Sequence, residues 1–193
     1  DPPYTTENVL EMYHSLGFDF GVSIDHLIFT ELESEKERRW KITVENAREF
    51  LRLYKRRKYK FTPVGVVQGW DAASYQRGTK ALMEMGYEYI AIGGLVRSTV
   101  PEIIQTLEAV QKVLLPGVEV HLFGVTRPEH AAKFASLGVT SFDSASRLRR
   151  AWMDGRHNYF LNDEAFTAIR IPDAKKVASE HKLDETMVQQ MEQ

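Results

Sequence analysis

The residues of this chain that can do chemistry are two aspartates, Asp25 and Asp143, a glutamine, Gln68, a glycine pair, Gly93-Gly94, and three arginines, Arg147, Arg149 and Arg150. Asp143 follows an apolar run, Val139 to Phe142, that reads as a buried strand, and precedes a small-residue turn and a helix loaded with arginine. An acid at a strand end, next to basic side chains, suits a nucleophile that handles a polyanion. With Asp25 it forms a candidate carboxylate pair. Two carboxylates around a sugar carbon can act as nucleophile, acid or base in glycosyl transfer. Alternatively, one of them holds the substrate. A planar base with N–H donors along one edge suits a carboxylate acceptor and a glutamine, which both donates and accepts. Glycine at 93 and 94 lets the backbone approach such a ring closely, and Phe123 can stack on its face.

Each residue also has a plainer reading. An aspartate at a strand end often only caps the next helix. Gln68 can be structural, and Gly93-Gly94 alone is a turn signal. His26 and His121 read as packing or hydrogen-bonding residues, because no His/Asp/Glu spacing resembles a metal site. The basic run from Arg52 to Lys60 reads as a solvated helix end favoured by the helix dipole. Arg147, Arg149 and Arg150 are less bland, since they follow Asp143 directly, and contact with backbone phosphates is the expected role.

The elements that must position these groups alternate. Thr5 or Thr6 can cap a first helix that stops at Gly17. Phe18 to Ile24 reads as a buried strand ending at Asp25-His26. The charged stretch from Glu31 to Arg39 reads as a solvated loop or helix face. Thr43 is the expected cap of a helix carrying Ala47, Phe50, Leu51 and Tyr54 at helical spacing. Pro63 to Val67 is a second strand, ending at Gln68-Gly69. Asp71 caps a helix that Gly86 ends. Tyr89 to Ile92 is the third strand, ending at Gly93-Gly94. Thr99-Val100-Pro101-Glu102 starts another helix. Val118 to Phe123 is the fourth strand, Pro128 begins a short helix, and Val139 to Phe142 is the fifth strand.

Strands alternating with helices predict βα units and a parallel sheet. Two architectures fit: part of a (β/α)8 TIM barrel, with about five units in hand, or an open doubly wound sheet. The functional groups decide between them. Asp25, Gln68, Gly93-Gly94, Gly124 and Asp143 each end a strand. In a barrel such positions converge on one face, whereas in an open sheet only those at a switch point meet. No Gly-x-Gly-x-x-Gly or phosphate-loop lysine motif supports a nucleotide fold. The expectation is a partial barrel over residues 1–172 and a helical tail over 173–193, with an amphipathic run from Val177 to Met191.

Composition bounds the remaining classes. At 193 residues with 43% hydrophobic content, the chain can build a substantial core. The formal net charge is −2, so nucleic-acid binding would rest on local patches. There is no cysteine, which rules out disulfides and thiolate zinc ligands here and fits a reducing, cytoplasmic setting. No apolar run approaches a membrane span. The start, Asp1-Pro2-Pro3, has no signal-peptide pattern and no initiator methionine, so a piece of a longer chain is expected.

The motifs together resemble a known family. Phe142-Asp143-Ser144-Ala145-Ser146, preceded by His121-Leu122-Phe123-Gly124-Val125 and Pro128-Glu129, resembles the tRNA-guanine transglycosylases, above all the archaeosine type. Val66-Val67-Gln68-Gly69 resembles the family's Val-Gln-Gly motif, and Ala91-Ile92-Gly93-Gly94-Leu95 is similar to its Ile-Gly-Gly-Leu motif. Gly21-Val22-Ser23-Ile24-Asp25-His26 and Gly65-Val66-Val67-Gln68-Gly69-Trp70 look closest to the branch that puts a 7-deazaguanine into DNA.

The resemblance implies a (β/α)8 barrel and a pentosyltransferase that exchanges guanine for 7-cyano-7-deazaguanine through a covalent aspartyl-nucleotide intermediate. It makes Asp143 the nucleophile at C1′. Asp25 and Gln68 would read the base edge, Gly93, Gly94 and Leu95 would present backbone to it, and Phe123 would stack on it. Arg147, Arg149 and Arg150 would hold the nucleic-acid backbone. Two displacements at C1′ would retain configuration. The implied partners are DNA, or alternatively tRNA, the free base, and accessory proteins of a DNA-modification system. Two features of the family have no match here: a further catalytic aspartate at an earlier strand end, and a cysteine-rich structural zinc site. No cofactor is expected in this segment. A lyase or aldolase would need a Schiff-base lysine or metal ligands at the strand ends, and neither is evident. A nucleic-acid-binding subunit without catalysis is the non-enzyme alternative, against which the presence of Asp143 and Asp25 argues.

Overall fold

The computed structural model describes residues 4–28, 32–125, 127–161 and 164–168. The expected helix over 177–191, and with it the tail at 173–193, lies outside the described residues. The chain divides into two compact units, 1–144 and 145–193.

The first unit is built from alternating helices and strands: α1 (Thr6–Ser15), β1 (Phe20–Val22), α2 (Glu33–Arg57), β2 (Thr62–Val67), α3 (Ala72–Met85), β3 (Tyr89–Ile92), α4 (Val100–Gln111), β4 (Glu119–Leu122), a 3-10 turn at Pro128–His130, α5 (Ala131–Ser136) and β5 (Val139–Phe142). All four strand pairings are parallel, and the spatial order is the sequence order, β1-β2-β3-β4-β5. A doubly wound sheet would reverse its order at a switch point. Unbroken sequential order is how a barrel is laid down, so the sheet is a partial barrel, as expected.

Alternation along the strands gives the sheet two different faces. Val67, Ile90, Ile92, Val120 and Leu122 pack under α2, α3, α4 and α5 in the main core. The opposite face carries a smaller cluster, Val64, Val66 and Ala91, flanked by Tyr89 and Phe123. Local chemistry sets the helix starts. The Asp71 carboxylate accepts from Ser74 N–H at 2.7 Å, and Ser74 Oγ accepts from Asp71 N–H at 3.1 Å, a reciprocal cap on α3. At α4, Glu102 accepts from Thr99 N–H at 2.7 Å, with Pro101 in the first turn.

Two tight places in this core give stability predictions. A Cβ on Gly65 would lie 2.5 Å from Leu82 Cδ2 and 3.0 Å from the Tyr87 ring. Both neighbours are buried, so neither can step aside. Gly65→Ala is therefore expected to destabilise the protein by about 1–3 kcal/mol, read as a lower urea midpoint at unchanged slope.

The phenols of Tyr75 and Tyr87 are buried, and Tyr87 donates to Ala47 O at 2.7 Å. Burial pushes both pKa values well above the ordinary tyrosine value. In the unfolded chain these phenols ionise near pH 10, while in the folded chain they keep their protons. The unfolded state then binds fewer protons, so stability falls as pH rises above about 10, by up to about 1.4 kcal/mol per pH unit for each phenol. Urea midpoints across that range should show the loss, and Tyr87→Phe should make it shallower.

The structure departs from three expectations. Thr43 does not cap a helix. The helix α2 begins ten residues earlier and runs for 25 residues, its charged first turns laced by Lys36–Glu33 and Arg38–Glu35 pairs. Thr43 instead lies inside it, its hydroxyl donating to Arg39 O at 3.1 Å and accepting from His26 N–H at 2.9 Å. The first strand is shorter than 18–24, and Phe18 and Phe20 are about half exposed. In the fifth strand only Val139 is buried. Among the described residues β1 and β5 each have one neighbouring strand, which leaves their other edges uncovered.

The second unit contains α6 (Ser146–Met153) and a hairpin of β6 (Tyr159–Leu161) with β7 (Glu164–Phe166). Asn158 is buried and holds the hairpin's ends together, accepting from Ala168 N–H at 2.7 Å and donating to Ala168 O at 3.0 Å. No helix among the described residues is long and apolar enough to cross a membrane.

Candidate active site

The C-terminal ends of the five strands carry Asp25, Gln68, Gly93-Gly94, Phe123-Gly124 and Asp143, as the sequence pattern predicts. Two groups of contacts form there.

The first joins the ends of β1, β2 and β3. Gln68 is 2% exposed, and its Nε2 donates to Asp25 Oδ2 at 2.5 Å. Asp25 lies in the segment between β1 and α2, and the His26 N–H to Thr43 bond ties that segment to the helix. Gln68 Oε1 has no hydrogen-bond partner among the described residues. A buried amide oxygen without a partner costs about 1–3 kcal/mol. The glycine pair makes this arrangement possible. A Cβ on Gly93 would stand 2.3 Å from Gln68 Nε2, and one on Gly94 would stand 2.7 Å from Oε1. Gly94 also has φ +83, which disfavours any side chain. The glycine loop is held by Gly93 N–H donating to Val67 O at 3.0 Å and by Tyr75 OH donating to Gly93 O at 2.8 Å. Because burial raises the Tyr75 pKa, the phenol stays protonated for that bond. The Leu95 side chain is sunk in the core, which leaves its backbone as the part available to a ligand.

The second group joins the ends of β4 and β5. Asp143 Oδ1 accepts from Gly124 N–H at 2.9 Å and lies 3.2 Å from His121 Nε2. Oδ2 takes no hydrogen bond among the described residues, and the Asp143 side chain is 55% exposed. His121 Nδ1 lies 2.8 Å from Ser141 Oγ, which lies 2.7 Å from Tyr89 OH. Phe123 meets His121 edge to face, with ring centroids 4.9 Å apart. His121 is thus the hydrogen-bonding residue that the sequence predicts. Ser141 and Tyr89 were not singled out from the sequence. Strand alternation holds the signal: counting back by two from Asp143 reaches Ser141, and from Phe123 reaches His121.

The structure brings Asp25 together with Gln68 and the glycine pair, and Asp143 together with Gly124 and His121. Arg147, Arg149 and Arg150 stand on α6 in the second unit. Arg147 and Arg150 lie 5.3 and 5.2 Å from the Phe160 ring centroid, and Arg150 Nε lies 3.4 Å from Asp154 Oδ2. A cleft of about 730 Å³ opens beside Gly94 and Leu95 between the starts of α3 and α4. Asp25, Gln68 and Asp143 do not line it, whereas Gly94 and Leu95 do. The zinc that the resemblance implies does not fit the residues present: the chain has no cysteine, and no group of three His, Asp or Glu among the described residues could hold a metal.

Residues 3–187 match the family model described as queuine tRNA-ribosyltransferase. The chain is 41% identical over 182 residues to the DNA-guanine transglycosylase of Salmonella montevideo, which covers 89% of this chain and 43% of that protein. It is 29% identical over 150 residues to the tRNA-guanine(15) transglycosylase of Pyrococcus abyssi, covering 74% of this chain and 24% of that protein. The corresponding Pyrococcus furiosus protein is 30% identical over 149 residues, with the same coverage of 74% and 24%. The chain therefore spans less than half the length of these relatives. The resemblance read from the strand-end motifs is borne out: the chain belongs to the queuine tRNA-ribosyltransferase family.

Proposed function

We propose that the intact protein is a guanine transglycosylase acting on DNA, which exchanges a target guanine for 7-cyano-7-deazaguanine through a covalent Asp143–nucleotide intermediate. The observation that carries this reading is the state of Asp143. One carboxylate oxygen is tied to Gly124 N–H and His121, and the other takes no hydrogen bond among the described residues. That is the arrangement of an oriented nucleophile. In the first displacement an Oδ2 electron pair forms a bond to C1′, and the C1′–N9 bond breaks with its electrons going to guanine. In the second, N9 of the incoming base attacks C1′ and the carboxylate leaves. The guanine released with that electron pair takes up a proton at N9 from solvent, and the incoming base gives its N9 proton to solvent as it attacks, so the exchange is proton-neutral overall. Two displacements retain the configuration at C1′.

The base is recognised through its N1–H and exocyclic amino donors, which match the Asp25 carboxylate and Gln68 Oε1. Gly93, Gly94 and Leu95 offer backbone to its edge and Phe123 offers a stacking face. Arg147, Arg149 and Arg150 hold phosphates. The target nucleotide has to leave its stack to reach Asp143. The 41% identity to a DNA-guanine transglycosylase supports DNA over tRNA. Accessory proteins of a DNA-modification system belong to the same reading.

The test uses the intact protein with labelled 7-cyano-7-deazaguanine, supplied with duplex DNA in one tube and unmodified tRNA in another. Label in DNA is the expected result. Label in tRNA alone would keep the chemistry and overturn the substrate. Label in neither would leave a nucleic-acid-binding protein on an enzyme fold.

A further inference from the structure

Behind Asp143 a chain of polar groups runs across three strands: Tyr89 on β3, Ser141 on β5 and His121 on β4. A carboxylate only accepts, so the hydrogen at 3.2 Å from Asp143 Oδ1 belongs to His121 Nε2. In a neutral imidazole the other nitrogen is then bare and accepts, so the Ser141 hydroxyl donates to Nδ1 across 2.8 Å. Having donated, Ser141 Oγ can accept from Tyr89 OH across 2.7 Å. Every proton then points toward Asp143.

We infer that His121 is a positioning residue for Asp143: Tyr89 and Ser141 hold its imidazole in the Nε2–H form, and that N–H, together with Gly124 N–H, fixes the carboxylate by one oxygen and leaves the other to react. The inference rests on Asp143 being the nucleophile. Asp143 is 55% exposed, so packing alone does not set its rotamer. Two donors converging on one oxygen do. The same donors act again in the second displacement, when Asp143 is the leaving group and charge returns to its carboxylate. Preorganised donors at a developing charge lower that barrier without further reorganisation. The loss of one should therefore show in kcat more than in KM.

His121 also packs edge to face on Phe123, so a purely structural role has to be separated from this one. Two substitutions do so. His121→Phe keeps a ring against Phe123 and removes the donor. His121→Gln removes the ring and keeps an N–H near the Nε2 position. In the intact protein, with DNA and labelled base, His121→Phe is expected to lower kcat about a hundredfold with little change in KM. His121→Gln is expected to recover at least about tenfold of that loss. If packing were the role, the order would be reversed, and a His121→Phe enzyme with wild-type kcat would overturn the proposal.

A second readout does not depend on activity. Nitrogen-15 spectra of the histidine rings in the intact protein are expected to show His121 protonated at Nε2. That preference should weaken in Ser141→Ala and in Tyr89→Phe. A ring protonated at Nδ1 in the wild type, or unmoved by both substitutions, would overturn the proposal. If the wild type transferred no base at all, the exchange reading would fail, while the ring spectra would still decide the hydrogen-bond chain.

Discussion

Asp143→Ala is expected to lower base exchange by about 10⁴-fold or more, as removal of a nucleophile does in other covalent catalysts. No protein–nucleic acid adduct should survive denaturation of the variant, whereas the wild type, stopped during turnover, should carry labelled DNA. The loss cannot be charged to misfolding. Asp143 is exposed and closes no core contact, so stability should change by less than about 0.5 kcal/mol. Asp143→Asn sharpens the result. The amide keeps the shape of the side chain and an oxygen that can accept from Gly124 N–H, but it is a far weaker nucleophile than a carboxylate. If Asn restored exchange, an orienting or helix-capping role would replace the nucleophilic one.

Gln68→Leu should produce the second large effect, lowering activity while leaving stability nearly unchanged. Gln68 Oε1 is a buried acceptor without a partner among the described residues, and its Nε2 is the donor that holds Asp25. Leucine has neither. Leaving a base donor unmatched and Asp25 unanchored is expected to lower kcat/KM about a hundredfold. Selectivity should fall with it. Hypoxanthine lacks the exocyclic amino group of guanine, so the wild type should discriminate against it, and the variant should discriminate much less. Stability is expected to stay within about 1 kcal/mol of the wild type, because the substitution also removes a desolvated orphan oxygen. A pair of competition assays, guanine against hypoxanthine, together with a urea melt, separates these outcomes. Unchanged selectivity in the variant would show that Gln68 is a structural glutamine.

Both predictions concern residues already visible in the chain as the ends of apolar runs. Alternation of apolar strands with helices, and a polar or glycine residue closing each strand, are local patterns. They suffice to number β2, β3 and β5 almost to the residue and to collect Asp25, Gln68, Gly93, Gly94 and Asp143 on one end of a barrel-like sheet. The caps at Asp71 and Thr99 were legible for the same reason, since a cap acts within one turn. Thr43 misled because threonine before a helical stripe looks like a cap. Nothing local reveals that the ten residues upstream, seven of them charged, continue the helix, or that the His26 N–H from the segment before it meets its hydroxyl.

The sequence by itself determined the order of the elements, the sequential sheet they build, and the side chains available at its C-terminal end. Only the tertiary structure decided which of those side chains share a hydrogen bond. Gln68 meets Asp25 across 43 residues of sequence, His121 meets Ser141 across 20, and Ser141 meets Tyr89 across 52. Such partnerships depend on strand register, and register depends on features such as the irregularity between Val120 and His121, which sets His121 opposite Ser141. A one-residue slip there would turn His121 or Ser141 to the helix-covered face and break the chain to Asp143. Apolar periodicity defines the faces of each strand separately. It carries no information about how far one strand is slid along the next, and that sliding is fixed by the packing of the whole sheet against its helices.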